Sequence, residues 1–204
     1  MQKGARGNRR AEIAEAALRI IATRGVAALT TTAVAEELGV TSGALFRHYP
    51  SRDAILVEVA ARVEEILRAN IPAADLPPPD RLERFVRQRA STAAGHAGVL
   101  RLMVSEQFML ALPEAAASRL RGVIVETQRF LVATLSEGAA AGIFRSDIGA
   151  EELAIVVMGV TQMLAILGGL GPKAAGDERA AKMLAAVRTL LAPVATPTNT
   201  PRRA

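Results

Sequence analysis

Residues 30–49 constrain the fold of this chain more than any other stretch of its sequence. Two short apolar patterns at helical spacing lie there, separated by Gly39, a residue that adopts a positive φ without steric cost. The second pattern begins at Thr41 or Ser42, either of which can cap a helix, and it ends before Pro50, which disfavours a helical residue ahead of it. The stretch therefore predicts two short helices joined by a tight turn.

Two helices this short bury too little surface to fold alone and need a third. Residues 9–24 predict one, because their apolar residues recur at helical spacing and Gly25 ends the pattern. The last helix of the three would turn Leu45 and Tyr49 into the core and small, hydrogen-bonding or cationic side chains outward. The outward positions are Thr41, Ser42, Gly43, Ala44, Phe46, Arg47 and His48. Such a surface fits the major groove of DNA, as in a helix-turn-helix.

Positive charge is concentrated around this three-helix unit. The chain has a net charge of +5, and residues 1–52 hold eight Lys or Arg against four acids, whereas residues 53–204 are close to neutral. A basic arm precedes the unit and consists of Lys3, Arg6, Arg9 and Arg10. Such an arm attracts phosphates irrespective of base sequence, and the attraction weakens as salt rises.

An ordered series of positions runs through the unit without gaps. It comprises Leu29-Thr30-Thr31, Ala35, Leu38-Gly39-Val40, Gly43, Leu45-Phe46, His48-Tyr49-Pro50-Ser51-Arg52 and Ile55-Leu56. Together these positions resemble the DNA-binding domain of TetR-family transcriptional regulators. The family usually has Tyr at Phe46, Phe at Tyr49 and Lys at Arg52. Without a hydroxyl, Phe46 loses one phosphate hydrogen bond and keeps apolar contact, for example with a thymine methyl.

The resemblance implies DNA-binding roles for named residues. Thr31 and Thr32 would approach phosphates, and Arg52 would clamp the DNA backbone from the start of the next helix. The residues in or beside the groove would be Thr41, Ser42, Gly43, Ala44, Arg47 and His48. Alternatives remain open, because the threonine run could be only a helix cap, and Arg47 and His48 could form a solvated face.

Beyond Pro50 the apolar spacing stays helical, which predicts an all-α chain of about nine helices. The further helices are expected at 51–70, 80–94, 98–111, 113–140, 150–168 and 177–192. By resemblance, residues 1–52 would form the DNA-binding domain, 51–70 the connecting helix, and 53–192 an effector-binding and dimerisation domain. Residues 193–204 hold three Pro and two terminal Arg and predict a disordered tail.

Composition narrows the class of protein. No apolar span reaches the roughly 20 residues of a transmembrane helix and no signal peptide is recognisable, so we expect a cytoplasmic protein with no membrane partner. The chain has no cysteine and two histidines, so neither a metal site nor a disulfide is expected. No nucleophile with its base and no cofactor loop stands out, so we expect neither an enzyme nor a cofactor.

The last two helices are apolar over wide arcs, which favours a partner over a plain core position. The residues concerned are Val156, Val160, Met163, Leu164, Leu167, Met183, Leu184, Val187, Leu190 and Leu191. In TetR-family regulators the last two long helices form a four-helix dimer interface. The resemblance therefore implies a homodimer that binds double-stranded DNA at a palindromic operator, with half-sites one helical turn apart.

The resemblance also implies a small-molecule effector among the middle helices, and repression as the commoner mode. Candidate pocket residues are Met103, Gln107, Phe108, Thr127, Phe130, Leu131, Thr161 and Gln162. This mix favours a hydrophobic or amphipathic effector over a highly charged one, because a buried anion needs a paired cation. Two alternatives stay open: ordinary core filling at these positions, and a DNA-bound protein whose helical domain engages a protein partner without an effector.

Overall fold

The computed structural model describes residues 2–95, 99–103, 105–168 and 173–194, and within these ranges the only regular structure is helical. A 3₁₀ helix, Val26–Ala28, follows the first of ten α-helices. The α-helices are α1 (Gln2–Arg24), α2 (Thr31–Glu37), α3 (Ser42–Phe46), α4 (Arg52–Arg68), α5 (Pro78–Gly95), α6 (Val99–Leu102), α7 (Glu106–Ala111), α8 (Glu114–Ala140), α9 (Ala150–Gly168) and α10 (Lys173–Leu191). The all-α prediction is confirmed.

Hydroxyl caps start three successive helices of the N-terminal unit. The side chains of Thr30, Thr41 and Ser51 accept hydrogen bonds from backbone amides three residues further on, at 3.0, 3.3 and 3.1 Å. Gly39 follows α2 with a φ of +65°, as its position predicted. These local signals fix where α2, α3 and α4 begin.

Several helix boundaries differ from the sequence prediction. Helix α3 ends at Phe46, short of Pro50, and α10 begins at Lys173 rather than near residue 177. Helix α1 begins at Gln2 rather than near residue 9, because the basic arm contains no proline and glycine only weakens a helix. The single helix expected over 98–111 is two short helices. Ser105 has an extended backbone (φ −87°, ψ 105°), and its side chain caps α7 by accepting from the Phe108 amide at 3.3 Å.

Two clusters of buried apolar side chains form the core. The first joins α1–α4 to α6, α7 and the first half of α8, up to Val123. The second joins α5, the rest of α8 from Leu131, α9 and α10. The predicted boundary at residue 52 falls inside the first cluster, where Ile55 and Leu56 of α4 are fully buried. A domain division at that point stays a proposal, since the packing continues across it.

Helix α4 is tied to both halves of the molecule. Towards α1, Arg62 donates to Glu15 at 2.8 Å. Towards α8, Arg68 pairs with Glu126 at 2.5 Å, and Arg119 pairs with the Glu64 carboxylate. A displacement of α8 would therefore act directly on the helix that begins beside the helix-turn-helix.

Two features are absent from the described ranges: a membrane-spanning helix and a group of metal ligands. No helix there is long and apolar enough to cross a membrane. Within the same ranges, no three His, Asp or Glu side chains lie close enough together to hold a metal ion.

Candidate DNA-binding surface and cavity

Helix α3 turns its polar face to solvent. The residues predicted to lie outward are all exposed: Thr41, Ser42, Gly43, Ala44, Phe46, Arg47 and His48. Leu45 and Tyr49 are buried in the first core cluster, as predicted. Thr32 is exposed and Thr31 is half-buried at the start of α2. This geometry leaves α3 free to enter a groove while its inner face is held by the core.

Arg52 differs in position from the other predicted DNA contacts. Its guanidinium is half-buried, and it donates from Nε to the Leu29 carbonyl at 3.1 Å and from Nη2 to the Val26 carbonyl at 3.0 Å. These bonds hold the 3₁₀ helix against the start of α4. The predicted phosphate clamp would therefore depend on Nη1, and no sequence pattern had indicated the structural role of Arg52.

The basic arm is paired in part with acids. Arg9 donates to Glu12 at 3.0 Å, and Arg10 donates through Nε to Glu58 of α4 at 3.0 Å. The Glu58 carboxylate raises the pKa of Arg10. The side chains of Lys3 and Arg6 lie outside the described residues.

On the exposed face of α3, Arg47 forms no ion pair with any described side chain. It is therefore a cation of the recognition helix that phosphate or a base edge could bind without first breaking a protein contact.

A cavity of about 60 Å³ lies where the two core clusters meet. Helices α4, α5, α8 and α9 contribute most of its lining. The lining residues are Leu67, Phe85, Arg89, Met103, Val123, Ile124, Thr127, Met158, Thr161 and Gln162. Pockets at such junctions are common places for small ligands, because neither core fills the space between them.

Four of the eight residues predicted for an effector pocket line this cavity. Met103, Thr127, Thr161 and Gln162 line the cavity. The other four candidates do not: Gln107 is exposed, Phe108 belongs to the first core cluster, Leu131 belongs to the second, and Phe130 packs against the second. The prediction placed residues 103, 107 and 108 on one continuous helix, and the break at Ser105 separates them.

Arg89 of α5 is the one charged residue among six described lining residues that the sequence patterns did not predict; the others are Leu67, Phe85, Val123, Ile124 and Met158. Arg89 is 8% exposed, its Nη2 donates to Thr127 Oγ1 at 3.3 Å, and its guanidinium carbon lies 5.1 Å from the centroid of the Phe85 ring. Burial lowers the pKa of Arg89 to about 10. A signal was available, because Arg89 continues the buried stripe of Leu82, Phe85 and Val86 at helical spacing.

The residues predicted for a dimer interface separate into two groups. Val156, Met163 and Leu190 are 49%, 50% and 52% exposed, Val160 and Met183 are half-buried, and the unpredicted Ile155 is 62% exposed. The prediction is wrong for the second group, because packing among α5, α9 and α10 buries these side chains within the chain. They are Leu164, Leu184, Val187 and Leu191. The side chain of Leu167 and the tail from residue 195 lie outside the described residues.

Known proteins resemble this chain both in the sequence of its N-terminal part and in its fold. The family described as "Bacterial regulatory proteins, tetR family" matches residues 13–59, from α1 into α4. The nucleoid occlusion factor SlmA of Vibrio atlanticus (strain LGP32) is 34% identical over 67 residues, which are 32% of this chain. The match covers about a third of SlmA, 34% of its length.

Two solved structures share the fold over most of the chain. The ketosteroid transcriptional regulator KstR2 of Mycobacterium tuberculosis is 23% identical, with 87% of this chain and 94% of KstR2 covered and a TM-score of 0.73. AibR, solved with isovaleryl coenzyme A and operator DNA, is 15% identical, with 88% and 97% covered and a TM-score of 0.72. At these identities the likeness concerns the fold. Residues 13–59 therefore match the tetR family of bacterial regulatory proteins, and the chain as a whole shares the fold of these two solved regulators.

Proposed function

We propose that this protein is a transcriptional repressor that binds a palindromic operator as a homodimer and is released by a small-molecule effector. One observation carries the proposal: helix α4 begins at Arg52 beside the helix-turn-helix, and Leu67 near its other end lines the cavity. A ligand in the cavity therefore contacts the same helix that supports the DNA-binding unit.

The DNA-binding part rests on α3. Its exposed face carries small residues at the start and Arg47 and His48 at the end, which suits close approach to base edges followed by hydrogen bonds or phosphate contacts. Arg52 supports this surface through the carbonyls of Val26 and Leu29. We assign Arg52 a positioning role, to which a phosphate contact through Nη1 can be added.

The homodimer rests on the exposed apolar side chains of α9 and α10. Ile155, Val156, Met163 and Leu190 leave about half or more of their surface in solvent within one chain. A second copy related by a two-fold axis would cover these side chains with the same residues. Two copies of α3 would then face half-sites roughly 34–36 Å apart on one side of the DNA.

The effector acts through a difference in affinity. A ligand shifts the protein only if it binds the form that does not bind DNA more tightly than the form that does. The ion pairs from α4 to α8, Arg68–Glu126 and Arg119–Glu64, provide contacts through which an altered cavity would move α4. AibR supports the combination, because a protein of this fold has been solved with both a small molecule and operator DNA.

A second candidate function is a DNA-bound protein whose helical body engages a protein partner. The match to a nucleoid occlusion factor favours it, although that match covers about a third of either chain. The cavity favours the effector instead, because four predicted pocket residues and a buried cation meet in it.

The test begins with selection of random duplex DNA by the purified full-length chain. The selected duplex is then titrated with the protein in the presence of a library of metabolites. We expect a palindromic sequence that one class of compound releases. A palindrome that no compound releases would support the protein-partner function, and the absence of any enriched sequence would overturn the DNA-binding proposal.

A variant of the recognition helix sharpens the test. Arg47→Ala should weaken operator binding by about 1–3 kcal/mol if Arg47 contacts a base, and its thermal unfolding should not change. Arg121→Ala is the matched control, because Arg121 is an exposed arginine of α8 paired with Glu114. Equal operator titrations for both variants would remove Arg47 from the DNA-binding surface.

A further inference from the structure

Arg89 brings a buried positive charge into the cavity without a matching negative one among the described residues. Among the described residues, no carboxylate forms an ion pair with it, and Thr127 Oγ1 is its hydrogen-bond acceptor. That hydroxyl also donates to the Val123 carbonyl at 2.9 Å, which orients its lone pairs towards the guanidinium. A guanidinium has five N–H donors, so most of those of Arg89 have no acceptor among the described residues.

Burying a charge without an ionic partner costs free energy of folding, because the charge loses its hydration. Burial alone is what lowers the pKa of Arg89 to about 10, so the group is still protonated at neutral pH. Contact with the Phe85 ring, at 5.1 Å from the centroid, offsets part of the lost hydration but provides no hydrogen bond. A buried cation with free donors beside a cavity is the arrangement expected where an anion binds.

The lining limits which anion fits. A carboxylate matches the guanidinium in charge and in its two parallel acceptors. A phosphate dianion would bring a second negative charge, and Arg89 is the only Lys or Arg among the described residues that line the cavity. The remaining walls are largely apolar, from Leu67, Met103, Val123 and Met158, and the volume of about 60 Å³ holds a compact group.

We propose that Arg89 binds the carboxylate of a compact monocarboxylic acid whose apolar part lies against Leu67 and Met158, and that this acid is the effector class. The inference deepens the proposed function and rests on it for the link to DNA. It also refines the expectation from sequence, which favoured a hydrophobic or amphipathic effector over a highly charged one because a buried anion needs a paired cation. Arg89 is that cation.

The binding experiment uses the full chain without DNA, so it does not depend on the operator. Linear and branched carboxylates of four to six carbons, and benzoate, are titrated by calorimetry beside the primary amides of the same skeletons. We expect at least one acid to bind and its amide to bind at least tenfold more weakly. Amides that bind as tightly as their acids, or no binding by any acid to folded protein, would overturn the inference.

Variants at two arginines of α5 test whether Arg89 is the residue that binds the acid. Arg89→Met should raise the Kd of the best acid at least tenfold, and Arg89→Lys should raise it less, because the charge is kept and the bidentate geometry is lost. Arg84→Met, at an exposed arginine of the same helix, should leave the Kd unchanged. Unchanged binding in a folded Arg89→Met protein would contradict the assignment.

The two proposals fail in distinguishable ways. If the acid binds through Arg89 and does not release the selected operator, the carboxylate site stands and the effector part of the proposed function fails. If a neutral compound releases the operator and binds Arg89→Met as tightly as wild type, the regulator stands and the carboxylate inference fails.

Discussion

Helix α5 buries one arginine in each of its halves. The two arginines differ in whether a described carboxylate pairs with the charge. Arg81 is 5% exposed, donates through Nε to the Leu76 carbonyl at 2.7 Å, and pairs with Glu137 of α8. Two turns later, Arg89 is 8% exposed and has only the Thr127 hydroxyl as acceptor among the described residues. The first guanidinium links α5 to its neighbours, whereas the second keeps most of its donors unused beside a cavity.

Buried charges with a structural role and buried charges with a functional role differ in whether the chain itself supplies a partner. A paired charge has its lost hydration compensated within the chain, so removing it leaves a carboxylate and a carbonyl without partners. An unpaired buried charge lowers stability, and proteins keep such groups where a ligand uses them. Replacement of each arginine by methionine, which retains length and apolar packing, should therefore change stability in opposite directions.

The largest effect is expected at Arg81. Arg81→Met removes a charged hydrogen bond to the Leu76 carbonyl and the ion pair to the half-exposed Glu137, and should lower the free energy of unfolding by about 2–3 kcal/mol. Urea denaturation with an unchanged m-value measures it. Arg87→Met is the control, since Arg87 is exposed and pairs with Glu83 one turn away, and should change the value by less than about 0.5 kcal/mol. A loss at Arg81 no greater than at Arg87 would show that the buried, paired arginine stabilises the fold no more than an exposed one does.

At Arg89 the change in the free energy of unfolding should have the opposite sign to that at Arg81. Arg89→Met removes a desolvated charge and leaves the Thr127 hydroxyl bonded to Val123, so the free energy of unfolding should rise by about 1–2 kcal/mol. The same denaturation series measures it in the absence of ligand. A fall of the size expected for Arg81 would mean that the guanidinium of Arg89 has a structural partner, and the two regions would no longer differ.

The sequence predicted the N-terminal unit well because its signals are local. Gly39 follows α2 with a positive φ, Pro50 disfavours a helical residue before it, and a hydroxyl at Thr41 caps α3 through an amide three residues away. The burial of Leu45 and Tyr49 followed from helical spacing, although α3 itself has five residues and ends at Phe46, before Tyr49. None of these inferences required knowledge of a distant partner.

The cavity was harder to predict because its residues come from four helices. Spacing alone cannot show that Leu164 and Leu184 face the chain's own core while Met163 and Leu190 face solvent, since both kinds lie on apolar arcs. The break at Ser105 turned Gln107 away from Met103 through one extended residue. Arg89 occupies the next position of the apolar stripe on α5. A charged residue at a buried position of this kind is itself an indication of a ligand site.

The smallest expected effect is the pH dependence of the Arg89 contribution. Its pKa of about 10 in the folded chain is below its ordinary value, so as pH rises through 10 the folded state releases this proton before the unfolded state does. Stability relative to Arg89→Met then rises with pH, because the unfolded state binds more protons. The stability gap between the two proteins should be constant from pH 7 to 8 and should narrow by about 1 kcal/mol by pH 10.5. Both proteins contain every other titrating group, including Tyr49, so the subtraction isolates Arg89. A gap that stays constant to pH 10.5 would mean that the folded chain holds the guanidinium fully charged, and burial would then cost this region no more than it costs the region around Arg81.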